Sequence, residues 1–114
     1  MRTTKRIQEA VRHVVTLLVA GRYDELERES KGRLSSQVLA SAIVEYGRAL
    51  VSPPADAFAD VDVIEISGSS PLRYSVRFDL WTVEEGRSDL SLEFTLVDGY
   101  NERMDFELDN LHVL

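Results

Sequence analysis

Three tyrosines are the residues best placed to do chemistry inside this chain. Tyr74 opens a strand-like alternation and falls on its apolar side, and Tyr23 and Tyr46 fall on the apolar sides of two helical stretches. Three converging phenols could hydrogen-bond one ligand carbonyl; buried tyrosines more often hydrogen-bond locally. A second group surrounds the single tryptophan. Trp81 lies on the polar side of the same alternation, beside Arg73, Arg77 and Asp79, with Glu93 expected opposite Arg77. A large aromatic among arginines on a polar sheet face is a common interface anchor. The alternative is a ring lying flat over neighbouring stems, stacked on Arg77 or Arg87.

The remaining ionisable groups read more plainly. His112 has Asp105, Glu107 and Asp109 nearby in sequence, so a carboxylate–histidine pair is conceivable, and a surface histidine is the default. The acidic row alternates along a strand and lacks the glycine-shaped turn that a calcium loop needs. It reads as a solvated strand whose charges deter edge-to-edge aggregation. His13 and His112 show no metal-ligand spacing, and no metal or other cofactor is expected. No phosphate loop, nucleophile elbow or dinucleotide fingerprint is present.

The elements that must position these residues fit one domain over 1–114, since the chain has 114 residues. With 44% hydrophobic and 29% charged residues it has the balance of a soluble globular protein. The absence of cysteine excludes a disulfide scaffold and thiol catalysis, and suits a reducing compartment. A net charge of −7 disfavours nucleic acid as a partner. Residues 1–34 carry 8 basic and 5 acidic groups, and residues 35–114 carry 5 and 15, so the acidity lies in the second part. Arg2, Lys5 and Arg6 precede an apolar run from Val14 to Ala20, but that run is too short and too crowded by Glu9, Arg12 and His13 for a signal peptide. No stretch approaches a membrane span. We read the chain as cytoplasmic.

Ile7, Ala10, Val11, Val14, Leu17 and Leu18 recur at helical spacing and predict a helix from about Thr4 to Ala20. Thr3 or Thr4 would cap it, and Gly21 would end it. A short helix over 22–30 turns Tyr23, Leu26 and Ser30 inward, and Gly32 ends it. A third helix runs from Ser35 or Ser36 to about Leu50, with Val38, Leu39, Ala42, Ile43, Tyr46 and Leu50 as its stripe. Gly47 within it implies close packing or an earlier end. Ser52-Pro53-Pro54 stops any helix.

Everything after Val61 reads as strand. Val61–Ser67 is rich in β-branched residues. Tyr74, Val76, Phe78 and Leu80 alternate with polar neighbours, as do Leu90, Leu92, Phe94 and Leu96. A loop of Glu84, Glu85 and Gly86, with Gly86 left-handed, sets Val76 against Phe94, Phe78 against Leu92, Leu80 against Leu90, Arg77 against Glu93 and Trp81 against Asp89. The last strand, Arg103–Asp109, turns Met104, Phe106 and Leu108 inward. A two-residue turn at Asp98-Gly99 would oppose Phe94 to Arg103, so a longer loop is expected, with Phe94 opposite Met104 or Phe106. A bulge near Asp109-Asn110 would return Leu111 and Val113 to the inner face. The predicted architecture is α+β: three N-terminal helices packed on a curved, mostly antiparallel four-stranded sheet.

This order is similar to the SnoaL-like, or nuclear-transport-factor-two-like, superfamily. The matching features are the first helix ending in Ala20-Gly21-Arg22-Tyr23-Asp24, the short helix after it, and the long C-terminal hairpins. The segment from Arg77 through Trp81 and Gly86 to Leu90 also resembles the signature of a small uncharacterised bacterial domain family. The first resemblance implies a cone-like fold and the second a bacterial source. Catalytic members of the superfamily place an Asp, His or Tyr–Asp pair inside the cone. Here the inward strand positions offer only Tyr74 as a polar handle, with Tyr23 and Tyr46 able to join it.

Three functions follow. The first is a non-catalytic interaction or accessory domain, homodimeric through Arg73, Arg77, Asp79, Trp81 and Glu93; an immunity-type protein facing a basic partner would also fit. The second is a small-molecule isomerase or hydrolase-type enzyme of the SnoaL-like kind, using the tyrosines and His112. The third is a binder of an apolar ligand lined by Tyr23, Tyr46 and Tyr74. An open cone would favour the last two, and a filled one the first.

Overall fold

The computed structural model describes residues 2–31, 34–99 and 102–114. Three helices come first: α1 (Arg2–Val19), α2 (Tyr23–Glu29) and α3 (Ser36–Tyr46). Five strands follow: β1 (Leu50–Val51), β2 (Asp62–Ile66), β3 (Leu72–Thr82), β4 (Gly86–Asp98) and β5 (Asp105–Val113). A 3-10 turn at Ala55–Phe58 lies between β1 and β2. Every pairing among these strands is antiparallel. β4 lies between β3 and β5, while β1 and β2 share the far edge of β3. The α+β architecture expected from the sequence is therefore present, with one strand more than the pattern predicted.

α1 buries Ala10, Val11, Val14, Val15, Leu17 and Leu18 as one stripe. It starts at Arg2, so Thr3 and Thr4 lie inside the first turn and do not cap it. Its other end matches expectation. Gly21 has φ 75, its N–H reaches the Leu18 carbonyl at 3.1 Å, and the Arg22 N–H reaches that of Leu17 at 2.9 Å. This double closure satisfies two carbonyls that the helix end would leave unpaired. α2 ends at Glu29 with Ser30 as its cap; Gly32 lies outside the described residues. Ser30 turns inward as expected, and its Oγ accepts the Leu108 N–H at 2.8 Å. α3 is capped by Ser35, whose side chain accepts the Val38 N–H at 3.2 Å. Gly47, at φ 73, ends it. Leu50 consequently leaves the helical stripe and pairs with Thr82 on β1, and Val38 is largely exposed.

The helices cover one sheet face. Tyr74, Val76, Phe78, Leu80, Leu90, Leu92, Phe94, Leu96, Met104, Phe106 and Leu108 all point to it and are all buried. Phe58 stacks on Phe78, with ring centroids 5.3 Å apart, and the Arg12 guanidinium lies 4.4 Å over the Phe58 ring. These contacts fix the 3-10 turn to the core edge.

Register agrees in the middle of the hairpin and differs at its tip. Val76 faces Phe94, Arg77 faces Glu93 and Phe78 faces Leu92. Trp81, however, faces Arg87 in place of Asp89, and Thr82 faces Gly86, so the loop is Val83 to Glu85 in place of Glu84 to Gly86. Between the flanking pairs, Leu80 alone lies opposite Ser88, Asp89 and Leu90. The buried Ser88 hydroxyl fills this bulge: it donates to the Leu80 carbonyl at 2.7 Å and accepts the Leu90 N–H at 3.1 Å. Gly86 is left-handed as expected, at φ 72.

In the next hairpin Phe94 faces Leu108, one inward position beyond the expected Met104 or Phe106, because the connection is wider. The bulge in β5 lies at Asp109, between the Phe94–Leu108 and Glu93–Asn110 pairs. It returns Leu111 to the core, but Val113 stays 57% exposed at the strand end.

Candidate functional site

The inner face is the natural place for a ligand, and it is packed with apolar side chains. Val76, Leu80, Leu90, Leu92, Phe94, Leu96, Met104 and Leu108 are all 2% exposed or less. The tyrosines are not brought together. Tyr46 reaches the tip of the central hairpin, where its hydroxyl donates to Glu85 Oε1 at 2.7 Å. Burial first, and then the Glu85 carboxylate, hold its phenol above the ordinary value. Tyr74 lies at the other end of β3, roughly 25 Å along the strand from that tip. Burial, followed by the charges of Glu65 and Asp98, pushes its phenol up as well. Tyr23 packs against the core from the start of α2. A shallow depression beside Tyr46 and another beside Tyr23 are separate, and each opens to the surface.

The outer face of the sheet carries the polar chemistry, and cross-strand rows order it. Arg73, Val97 and Asp105 form one row; Ser75, Thr95 and Glu107 the next; then Arg77, Glu93 and Asn110; then Asp79, Ser91 and His112. Arg73 reaches over β4 to Glu107 at 3.1 Å. Arg77 and Glu93 sit opposite each other but pair elsewhere: Arg77 with Asp62 at 3.4 Å, Glu93 with His112 at 3.1 Å. His112 thus meets a carboxylate, on the neighbouring strand and not within its own acidic row. Asp109 accepts from the Thr95 hydroxyl at 2.8 Å. No group of three potential metal ligands is found among the described residues.

Trp81 is half-buried at one end of this face. Its ring lies over Gly86, where an added Cβ would stand 3.7 Å from Cζ3. Beside it, Asp79 Oδ2 accepts from both Arg87 Nε and Nη2, at 3.0 and 2.8 Å. Asp79 Oδ1 and the Oγ of its cross-strand neighbour Ser91 are buried with no hydrogen-bond partner among the described residues. The ring also edges a cavity of about 250 Å³ where Phe78 to Leu80 lack a strand partner between β1 and β2. Asp56, Asp60, Asp62 and Arg77 line the rest of it.

Two features of this face escape a reading of the sequence. Ile64 and Ile66 point outward from β2, 65% and 38% exposed, because their partners across the strand are Ser75 and Arg73. A β-branched run without strict alternation does not show which side is buried. Ser91 is fully buried on the outer face, where alternation predicts a solvated serine.

The family described as a domain of unknown function, DUF7668, matches residues 15–114. No curated protein and no solved structure matches the chain. No helix is long and apolar enough to cross a membrane, among the described residues.

Proposed function

The chain belongs to the DUF7668 family, and from that premise we propose that it is a non-catalytic interaction domain that self-associates through the outer face of its sheet. The observation that carries this reading is the contrast between the two faces. The inner one is filled by apolar side chains. The outer one combines Trp81, Ile64 and Ile66 with Arg73, Arg77 and Arg87. Aromatic, aliphatic and arginine side chains on one uncovered surface are the composition of an interface. The role is cytoplasmic, in keeping with a chain that has no cysteine to oxidise. Kinship with the SnoaL-like superfamily belongs to the same proposal, supported by the order of a long helix, a short helix and long hairpins. Sedimentation velocity at micromolar concentration tests the reading. A dimer is expected; a strict monomer would remove self-association.

A further inference from the structure

We infer that the cavity beside Trp81 is a docking site for one arginine side chain of a different protein, presented by a segment that pairs with β3 where the sheet edge is interrupted. The inference goes beyond self-association, because every part of the site lies within one chain.

The interruption follows from the strand pairings. On the edge of β3 away from β4, β2 reaches Arg77 and β1 begins at Trp81. In an antiparallel sheet, alternate residues of a strand direct their main-chain groups to opposite edges. The Leu80 carbonyl points to β4, where it accepts from the Ser88 hydroxyl. The Val83 N–H points the other way, to the Ala49 carbonyl. Asp79 has the parity of Val83. Its N–H and C=O therefore face the edge between β1 and β2, where no strand pairs with it. Main-chain groups in such a place need a partner from outside the sheet. The gap from Phe78 to Leu80 is roughly 10 Å long, which admits one incoming residue that exchanges both hydrogen bonds with Asp79. A residue paired in this way turns its side chain to the same face as that of Asp79. The cavity of about 250 Å³ lies there. Pockets that enclose a drug-sized ligand run to roughly 300–1,000 Å³; this smaller volume suits one long side chain.

Charge selects the side chain. Arg77 and Arg87 line the cavity but are neutralised within it, Arg77 by Asp62 at 3.4 Å and Arg87 by Asp79 Oδ2 at 2.8 Å. Asp56 and Asp60 line it too, and neither carboxylate has an ion pair or hydrogen bond among the described residues. Two negative charges are left over, and an interface complementary to them is positive. Trp81 adds an aromatic wall. A guanidinium can stack flat on such a ring while its donor fork engages a carboxylate. A lysine ammonium carries the same charge as a compact, strongly hydrated point and uses the wall less well. Arginine is thus the side chain that satisfies the carboxylates and the ring together.

Titration with the blocked peptide acetyl-Gly-Arg-Gly-amide tests the site, read by Trp81 emission and by the Asp79 amide signal in proton–nitrogen correlation spectra. Both should move with one Kd, below about 10 mM. The same peptide with citrulline in place of arginine keeps the shape and loses the charge, and should bind at least about tenfold more weakly. The arginine peptide should lose at least about tenfold on Asp56→Asn with Asp60→Asn, both at exposed positions. If that variant fails to fold by circular dichroism, the comparison of the two peptides on the wild type carries the test. Equal affinity for the two peptides, or no binding of the arginine peptide by about 10 mM, overturns the site. An Asp79 amide that stays still while the emission moves overturns the pairing with β3. Methylguanidinium that binds as tightly as the arginine peptide overturns the docked segment and leaves a site for a small free cation. None of these outcomes alters self-association, which sedimentation of the wild type decides separately.

Discussion

Ser88 shows how one small polar side chain can decide local register. Its hydroxyl replaces a missing ladder contact, bridging the Leu80 carbonyl and the Leu90 N–H in a buried bulge. Ser88→Ala leaves both backbone groups buried without that partner, and should cost about 1–3 kcal/mol in denaturant melts. The sequence does not announce this, because a serine near a polar hairpin tip looks like a solvated one. Phe94 was legible: it alternates with Glu93 and Thr95, and it is 0% exposed at the centre of the core. Phe94→Ala should cost about 3–5 kcal/mol by opening a cavity, and a loss below about 1 kcal/mol would mean that the site collapses freely. Glu29 gives a pH prediction. Burial alone would raise its pKa, but the hydrogen bond and charge of His13, with Arg103, outweigh burial and hold the carboxyl below its ordinary value of 4.5. A depressed folded pKa contributes stability above the unfolded value, and that stability is lost as pH falls through the folded one. Wild-type stability should therefore decline below about pH 4.5, and Glu29→Gln should flatten that part of the decline. An unchanged acid limb in the variant would exclude the effect.

At the scale of elements, period and punctuation carried most of the fold. The α1 stripe, the left-handed Gly21, the Ser35 cap and the alternation of β3 and β4 were all readable, because each follows from local sterics or from burial of one face. What was not readable depends on contacts distant in sequence. β1 exists because the chain after Gly47 meets the end of β3: the Val83 N–H donates to the Ala49 carbonyl at 2.9 Å, and Glu84 Oε1 accepts the Ala49 N–H at 3.1 Å. The tyrosines failed to converge for a similar reason. Each points inward from its own element, but the length of β3 separates Tyr46 from Tyr74. Gly47 is the position to test. Its φ of 73 is left-handed, and an added Cβ would meet only its own chain's Glu45 carbonyl, at 4.0 Å. Gly47→Ala should thus cost about 1–2 kcal/mol through backbone strain alone, while Gly47→Asn should cost less, because asparagine tolerates that region. Equal losses for the two in thermal melts would point to a packing clash.

The sheet has one face closed by the helices, and Trp81 reports on the other. In a single chain its ring is half-buried over Gly86. Packing within the chain therefore accounts for part of its position, and the remaining surface is what association would cover. Because Trp81 is the single tryptophan, its emission observes that surface directly. On dilution from about 100 μM to 0.1 μM, a range spanning typical homodimer affinities, the emission should shift to longer wavelength as the ring regains water. Trp81→Ala should weaken the dimer by about 2 kcal/mol or more if the ring is an anchor, roughly a thirtyfold rise in Kd. The fold should survive, since the substitution removes no inner-face contact; an unchanged far-ultraviolet circular dichroism spectrum is the control. Emission independent of concentration, together with a dimer unaffected by Trp81→Ala, would place the contact elsewhere on the molecule. Emission that moves with concentration while Trp81→Ala leaves the affinity unchanged would put Trp81 at the interface rim, where contacts exclude water but contribute little.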